Sequence, residues 1–208
     1  WMHNGFVRVN EEKMSKSLGN FFTLRDVLKE YRAEEIRYFI LSNHYRSPLN
    51  YSEEQLDLAR SALARLYTAL LDTHTAADVP QGSDYQARFE AAMNDDFNTA
   101  EALAVLFDLA RELNKAKTEQ SDKVDGLASL LRFLAGLISL LEADPAEYLK
   151  SSVSSEGLSD SDIEQKIDQR QQAKLGKNWA LADQLRDELT DAGITLEDSA
   201  QGTRWRRS

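Results

Sequence analysis

The sequence contains no cysteine, only 3 prolines and no long apolar run. The absence of cysteine excludes disulfide bonds and thiolate-bound metal ions within these 208 residues. A helix that spans a membrane needs roughly 20 consecutive apolar residues. No stretch approaches that length, so we predict a soluble protein without a membrane partner. The hydrophobic content of 42% predicts a packed core.

Positive charge is also scarce, because the net charge is −10 at pH 7. A strongly acidic chain is a poor general binder of nucleic acid. The acidic residues are concentrated in residues 51–110, which carry 11 acidic and 3 basic side chains. Residues 1–50 and 161–208 are close to neutral, so local patches there remain able to contact phosphates.

One short motif carries most of the functional information. Residues 13–17 read Lys-Met-Ser-Lys-Ser and continue as Leu-Gly-Asn. Lysine ammonium groups are compact charges that meet phosphate oxygens well, and two of them beside serine hydroxyls form a clamp for a polyphosphate. Such a clamp is most useful where negative charge develops as pyrophosphate leaves a nucleotide. For an isolated Lys-x-x-Lys pair, the alternative interpretation is a solvated surface turn.

The string at 13–20 resembles the second signature of the class I aminoacyl-tRNA synthetases. The flanking stretches at 1–7, 20–23, 44–51 and 93–100 are similar to those of cysteinyl-tRNA synthetases, and the resemblance covers essentially the whole chain. The Rossmann fold and the His-x-Gly-His type signature of class I enzymes are missing. The resemblance therefore implies the C-terminal portion of a longer enzyme, and we expect this portion alone to be inactive.

The resemblance also implies a reaction, a set of ligands and a location. The reaction is that of a cysteine–tRNA ligase, expected in the cytoplasm as a monomer that uses ATP with Mg²⁺, cysteine and tRNA(Cys). Lys13 and Lys16 are then the catalytic residues, because they contact the triphosphate and stabilise the departing pyrophosphate. The zinc ion that selects the cysteine thiol in this family is expected only in the missing upstream half, with no metal site in these residues. The implied ATP-binding residues are Lys13, Met14, Ser15, Lys16, Ser17 and His3.

Helical periodicity dominates the chain, so the predicted fold class is mainly α. We expect the end of a class I catalytic domain, a helical bundle and a small terminal α+β module with a hairpin. A short strand is predicted at 6–9, and Ile36, Phe39 and Ile40 are predicted to share one face of a short helix at 34–43. Capping patterns predict helix starts at Thr23 with Asp26, Ser52 with Gln55, Asn98 with Glu101 and Ser161 with Glu164, and they predict a last helix that Asn178 starts and Gly193 ends. Leucine stripes predict three long helices in the bundle, the third near 122–142. The expected domains are 1–22 for the end of the catalytic domain with the lysine loop, 23–51 for a connecting helical module, 52–142 for a tRNA-docking bundle, 143–160 for a linker and 161–208 for an anticodon-binding module.

The terminal module contains candidates for RNA binding. Trp179 lies in the first turn of a predicted helix, Asp183 follows four residues later on the same face, and Asp198 comes after the next strand. Aromatic rings stack on unpaired bases, and carboxylates accept hydrogen bonds from base amino groups. Trp179 and Trp205 could instead fill the core of a small module. The candidate anticodon-binding residues are Trp179, Asp183, Asp198, Trp205, Arg204 and Arg206, and the resemblance points to the anticodon GCA.

Three further groups have weaker patterns. The histidines show no metal-ligand spacing. Asp95 and Asp96 could bind a metal ion, but ahead of the helix-capping Asn98 we expect them to be turn and helix N-terminal residues. Residues 44–47 either contact the inner bend of a tRNA or form a turn between modules.

Two alternative functions remain open. One is a related ATP-dependent ligase that joins cysteine to an amino-sugar pseudodisaccharide, which would leave residues 161–208 without a task. The other is a stand-alone helical RNA-binding module, which has no use for a pyrophosphate clamp. An upstream Rossmann domain with a zinc-binding cysteine would favour the tRNA ligase.

Overall fold

The computed structural model describes residues 1–15, 23–74, 83–151, 158–199 and 202–207. The chain divides into two compact units, Trp1–Pro145 and Ala146–Ser208. Each unit has its own core, and each is described by itself below. Within the described ranges, no helix is both long enough and apolar enough to cross a membrane.

The first unit begins with a small sheet. Strand β1 (Val7–Val9) pairs antiparallel with β2 (Glu12–Lys13) and parallel with β3 (Leu49–Tyr51), in the order β2-β1-β3. Asn10 and Glu11 form the two-residue turn between β1 and β2, and both have a positive φ. A two-residue hairpin turn with positive φ at both positions matches the twist of the strands. The strand predicted at 6–9 is confirmed.

Two short helices lie between β2 and β3 in the chain. Helix α1 (Leu24–Val27) begins with the predicted capping box of Thr23 and Asp26. Helix α2 (Ala33–Leu41) buries Ile36 and Phe39, whereas Ile40, predicted on the same face, is 51% exposed. Helix α1 therefore confirms the prediction, and α2 confirms it except at Ile40.

Four helices form the bundle: α3 (Glu53–Leu70), α4 (Asp84–Asn94), α5 (Thr99–Thr118) and α6 (Val124–Gly136). Ser52 and Asn98 accept the expected capping hydrogen bonds from Gln55 and Glu101. The leucine stripes face inward as predicted, and burial of each such side chain contributes about 2 kcal/mol. The fully buried leucines include Leu56, Leu63, Leu66, Leu106, Leu109, Leu131 and Leu134.

The third long helix is shorter than the sequence predicts. Helix α6 ends at Gly136, not near residue 142. Ser139 and Leu141 have a positive φ, which an α-helix excludes. The Ser139 carbonyl accepts a hydrogen bond from Arg37, and the Leu141 N–H donates to Glu34. These long-range contacts replace the helical hydrogen bonds that the apolar pattern predicts.

The second unit contains three helices and a hairpin in its described part. Helix α7 (Pro145–Lys150) starts at the boundary between the units and buries Tyr148 and Leu149. Part of the stretch 143–160, predicted as a linker, is therefore helical. Helices α8 (Asp160–Leu175) and α9 (Trp179–Asp191) lead into the antiparallel strands β4 (Ile194–Ser199) and β5 (Gly202–Arg207).

The helix ends of the second unit confirm two predictions and correct a third. Asn178 caps α9 through the Leu181 N–H, and Gly193 follows that helix with φ +74°. Helix α8, however, is capped by Ser159 with Asp162, not by Ser161 with Glu164. Ile163, in the first turn of α8, is fully buried.

Candidate nucleotide loop and nucleic-acid interface

The β1–β2 hairpin presents the beginning of the lysine motif. Lys13 ends β2 opposite Arg8 and is exposed, while Met14 and Ser15 are half-buried. His3 is exposed in the segment before β1. Lys16 and Ser17 lie outside the described residues. The structure thus places Lys13 at the end of a paired strand, with Met14 and Ser15 directly after it. The phosphate contact of both lysines stays a prediction.

The turn at 44–48 is held by a carboxylate from the bundle. Asp96 accepts hydrogen bonds from the Tyr45 hydroxyl at 2.7 Å and from the Arg46 guanidinium, whose terminal nitrogen lies 3.1 Å away. His44 stacks on Tyr45, and its Nε2 lies 3.9 Å from Asp96. The hydrogen bonds from Arg46 and then Tyr45 lower the pKa of Asp96 to about 2. Its charge is therefore balanced within the protein.

These contacts favour the structural interpretation of both segments. Asp96 pairs with Arg46, and among the described residues no group of three or more histidines and carboxylates is placed to hold a metal ion. Residues 44–46 are engaged with Asp96, as a turn between modules would be.

In the second unit, Trp179 is exposed. Its side chain lies in the first turn of α9 with 59% of its surface accessible, and Leu175, at the end of α8, is 80% exposed. The ring therefore does not fill the core. Asp183, also exposed, lies one turn further along α9 and acts electrostatically on Arg170. This pair has the exposure that base stacking and hydrogen bonding require.

Asp198 lies in a network of four donors. One oxygen accepts from Arg170 at 3.0 Å and from Thr203 at 2.6 Å. The other accepts from Arg170 and Lys174, both at 2.9 Å. Donation from Arg170, then Thr203 and Lys174, holds the pKa of Asp198 far below its usual range. An ionised carboxylate has about four acceptor positions, so a base amino group reaches Asp198 only if one of these donors leaves.

The structure places Trp205 in the core. It is 8% exposed and packs in a cluster with Ile163, Ile167, Leu189 and Ile194. The ammonium of Lys150 lies 5.3 Å from its ring centre. The burial supports the core interpretation and argues against base stacking by Trp205 in this conformation.

Arg204 and Arg206 lie on the other face of the hairpin. The register pairs Glu197 with Arg204 and Thr195 with Arg206, whereas Trp205 pairs with Leu196 on the inner face. Arg204 is exposed, and the Nε of Arg206 lies 3.5 Å from Glu197. The six candidate residues therefore lie in four different places: an exposed helix face, the hydrogen-bond network of Asp198, the core and the outer face of the hairpin.

Sequence reasoning missed Arg170 and Lys174. They are four residues apart on α8 and converge on Asp198, and only 6% of the Arg170 side chain is exposed. Two basic residues at this spacing share a helix face, which was the available signal. Their partner lies 28 and 24 residues away in the chain, and the sequence did not indicate it.

Three family models match the chain in succession. Residues 1–61 match the class I (C) tRNA synthetase catalytic domain, residues 88–142 the DALR domain, and residues 160–206 the cysteinyl-tRNA ligase anticodon binding domain. The cysteine–tRNA ligases of Methylococcus capsulatus and Thioalkalivibrio sulfidiphilus are 56% and 57% identical over the whole of this chain.

The chain belongs to the cysteinyl-tRNA ligase family. It spans 45% of the length of each of these two relatives. The DALR match covers most of α4 and all of α5 and α6, and the anticodon-binding match extends from α8 into β5.

One solved structure has a similar fold at much lower sequence identity. It is described as a ternary complex of the agnB2 LeuRS of Agrobacterium radiobacter K84 with tRNA and LeuAMS. The match has a TM-score of 0.53 and 22% sequence identity, and it covers 72% of this chain and 22% of that one. At this identity the match indicates a shared fold.

Proposed function

We propose that this chain is the tRNA-binding C-terminal part of a cysteine–tRNA ligase. The observation that carries the proposal is the order of the three matching families along one chain, which ends in an anticodon-binding domain at 160–206. That domain model also disfavours the amino-sugar ligase, which needs no anticodon reader. The match to a catalytic domain at 1–61 disfavours a stand-alone RNA-binding module.

The proposed reaction has two steps. Cysteine attacks the α-phosphate of ATP, which gives cysteinyl-adenylate and pyrophosphate, and the terminal adenosine of tRNA(Cys) then takes the cysteinyl group and releases AMP. Lys13 and Lys16 stabilise the charge that develops on the leaving pyrophosphate, in the way that preorganised cations stabilise transition states. Met14, Ser15, Ser17 and His3 complete the ATP contacts, and Mg²⁺ accompanies the nucleotide.

The described residues of this chain do not fit the zinc site of the family. They contain no cysteine, and no cluster of three or more histidines and carboxylates lies among them. We propose that the thiol-selecting zinc is bound by residues of the longer enzyme outside this chain. The enzyme is proposed to act in the cytoplasm as a monomer.

The domains take the proposed roles in chain order. Residues 1–22 carry the lysine motif, and residues 23–51 connect it to the bundle. Residues 52–142 dock the tRNA, residues 143–160 are the linker, and residues 161–208 read the anticodon. Trp179 stacks on a splayed base, and Asp183 accepts from a base amino group. Asp198 accepts a hydrogen bond from a base only after Lys174 or Thr203 has moved away from it. Arg204 and Arg206 contact phosphates from the outer face of the hairpin.

The test uses the enzyme at full length. ATP–pyrophosphate exchange is measured with each amino acid separately, followed by transfer to tRNA(Cys). We expect exchange with cysteine and transfer to tRNA(Cys). Cysteine-dependent exchange without transfer to any tRNA, but with coupling to an amino sugar, would establish the alternative ligase.

A further inference from the structure

The turn at 44–48 supports the strand that leads to the lysine motif. The N–H of Gly5 donates to the Tyr45 carbonyl at 2.8 Å. A Cβ atom at position 5 would lie 2.0 Å from the Ser47 carbonyl oxygen, so only glycine allows this approach. The Leu49 N–H then donates to the Phe6 carbonyl at 2.9 Å. The start of β1 therefore rests on the turn through backbone contacts.

The same turn is fixed to the bundle by Asp96. Tyr45 and Arg46 supply three donors to the two oxygens of this one carboxylate. Asp96 and the next residue, Phe97, both have a left-handed backbone, with φ +53° and +55°. Asn98 then caps α5. Aspartate and asparagine tolerate the left-handed region better than most residues, so the carboxylate has a defined position at the start of a long, buried helix.

The remaining contacts connect β1 to Lys13. Strand β1 pairs with β3, which follows the turn directly, and Arg8 of β1 pairs with Lys13 of β2. The hairpin turn is also held, because the Glu11 N–H donates to the Asn50 side chain at 2.7 Å and the Asn10 N–H to the Tyr51 carbonyl at 3.1 Å. A continuous set of hydrogen bonds thus leads from the start of α5 to Lys13.

We propose that Asp96 is a positioning residue for the lysine motif. It holds the turn at 44–48 against the bundle, and through β1 it fixes the position of Lys13. This inference rests on the proposed function, in which Lys13 and Lys16 meet the triphosphate. A displacement of a catalytic group by about 1 Å is enough to cost a large factor in rate. The carboxylate is partly exposed, with 43% of its side chain accessible, and ion pairs of this kind contribute little to global stability. Its main effect should therefore be on the rate.

The bundle offers a matched control. Asp108 on α5 pairs with Arg88 at 2.6 Å and with Arg111 at 3.2 Å, and 33% of its side chain is exposed. It is the same kind of carboxylate–arginine pair, but it joins α4 to α5 and makes no contact with the turn in these interactions. Asp96→Asn keeps the side-chain shape and the tolerance for a positive φ, so it isolates the charge.

The test compares Asp96→Asn and Asp108→Asn in the full-length enzyme. For Asp96→Asn we expect kcat of cysteine-dependent ATP–pyrophosphate exchange to fall about threefold to thirtyfold, the range for residues that couple distant sites. The KM for ATP should change less than about twofold if the loop acts mainly in the transition state. Asp108→Asn should leave both constants unchanged. Tyr45→Phe, which removes one of the donors, should show a smaller loss than Asp96→Asn.

Hydrogen exchange gives a second readout that does not require activity. Asp96→Asn should accelerate exchange of the amides of residues 5–11, and Asp108→Asn should not. Equal effects of the two variants, or faster amide exchange without any loss of kcat, would overturn the proposal. If the wild-type enzyme shows no cysteine-dependent pyrophosphate exchange, the proposed function fails, and the amide exchange alone still decides whether Asp96 holds the strand.

Discussion

The bundle and the terminal unit are stabilised in different ways. In the bundle, long leucine stripes on α3, α5 and α6 supply a large apolar core, and Arg60 of α3 pairs with the buried Glu35 of α2. The second unit, Ala146–Ser208, which we also call the terminal unit, has a small apolar cluster around Trp205. It also contains the nearly buried Arg170, which is paired with Asp198. A small unit cannot bury enough apolar surface for a large margin of stability. Its polar network therefore has a larger share in holding the helices to the hairpin.

The largest expected effect is the loss of the core tryptophan. Trp205→Ala should destabilise the terminal unit by about 3–5 kcal/mol, because it removes a buried ring and leaves a cavity. Hydrogen exchange of the amides in α8 and α9 measures this. Trp179→Ala is the control, since its exposed ring should change stability by less than about 0.5 kcal/mol. Similar losses of stability for the two variants would show that Trp205 is not more deeply buried than Trp179.

A buried leucine of the bundle should behave like Trp205 and leave the terminal unit intact. Leu63→Ala should cost about 2–5 kcal/mol, because Leu63 is fully buried on α3. Leu58→Ala on the same helix is the control, since Leu58 is 57% exposed. Amide exchange should accelerate in α3 and α5 but not in α8 and α9. Acceleration in both units would mean that they unfold together.

Local sequence patterns predicted most of the helices and their caps. The leucine stripes, the caps at Thr23, Ser52, Asn98 and Asn178, and the hairpin followed from local periodicity and turn chemistry. The cap of α8 did not, because Ser159 and Ser161 each have an acidic residue three positions later. The start of α8 also has long-range contacts, because Arg207 of the hairpin donates to the Leu158 carbonyl and to Asp160, and a local pattern does not show them.

The candidate site was less predictable than the fold. Trp179 and Trp205 both lie near basic residues, and only the strand register, which pairs Trp205 with Leu196, placed one ring inside. The roles of Asp96 and Asp198 depend on partners 50 and 28 residues away. No local pattern identifies such pairs. The lysine motif was identified by its string, but its second lysine lies outside the described residues.

A smaller effect should appear in the second unit at acid pH. The pKa of Asp198 is lowered by its donors from an ordinary value of 3.8. A carboxyl group of this kind contributes stability above its unfolded pKa, and the contribution is lost as the pH falls below that value. The terminal unit should therefore lose stability below about pH 4, as measured by amide exchange or denaturation at several pH values.

Asp198→Asn tests the same network at neutral pH. It should destabilise the terminal unit by about 1–3 kcal/mol, because it weakens the acceptor of a nearly buried guanidinium. It should also flatten the acid dependence. An unchanged acid dependence in this variant would assign the pH effect to other carboxylates of the unit.

The most direct test of the central claim measures two activities of the full-length enzyme after Trp179→Ala. If the exposed ring stacks on an anticodon base, kcat/KM for aminoacylation of tRNA(Cys) should fall by a factor that corresponds to about 1–3 kcal/mol, while cysteine-dependent pyrophosphate exchange stays nearly unchanged. Leu58→Ala should change neither activity. An equal loss of both activities with a lower Tm, or no loss of aminoacylation at all, would contradict the assignment of the terminal unit as the anticodon reader.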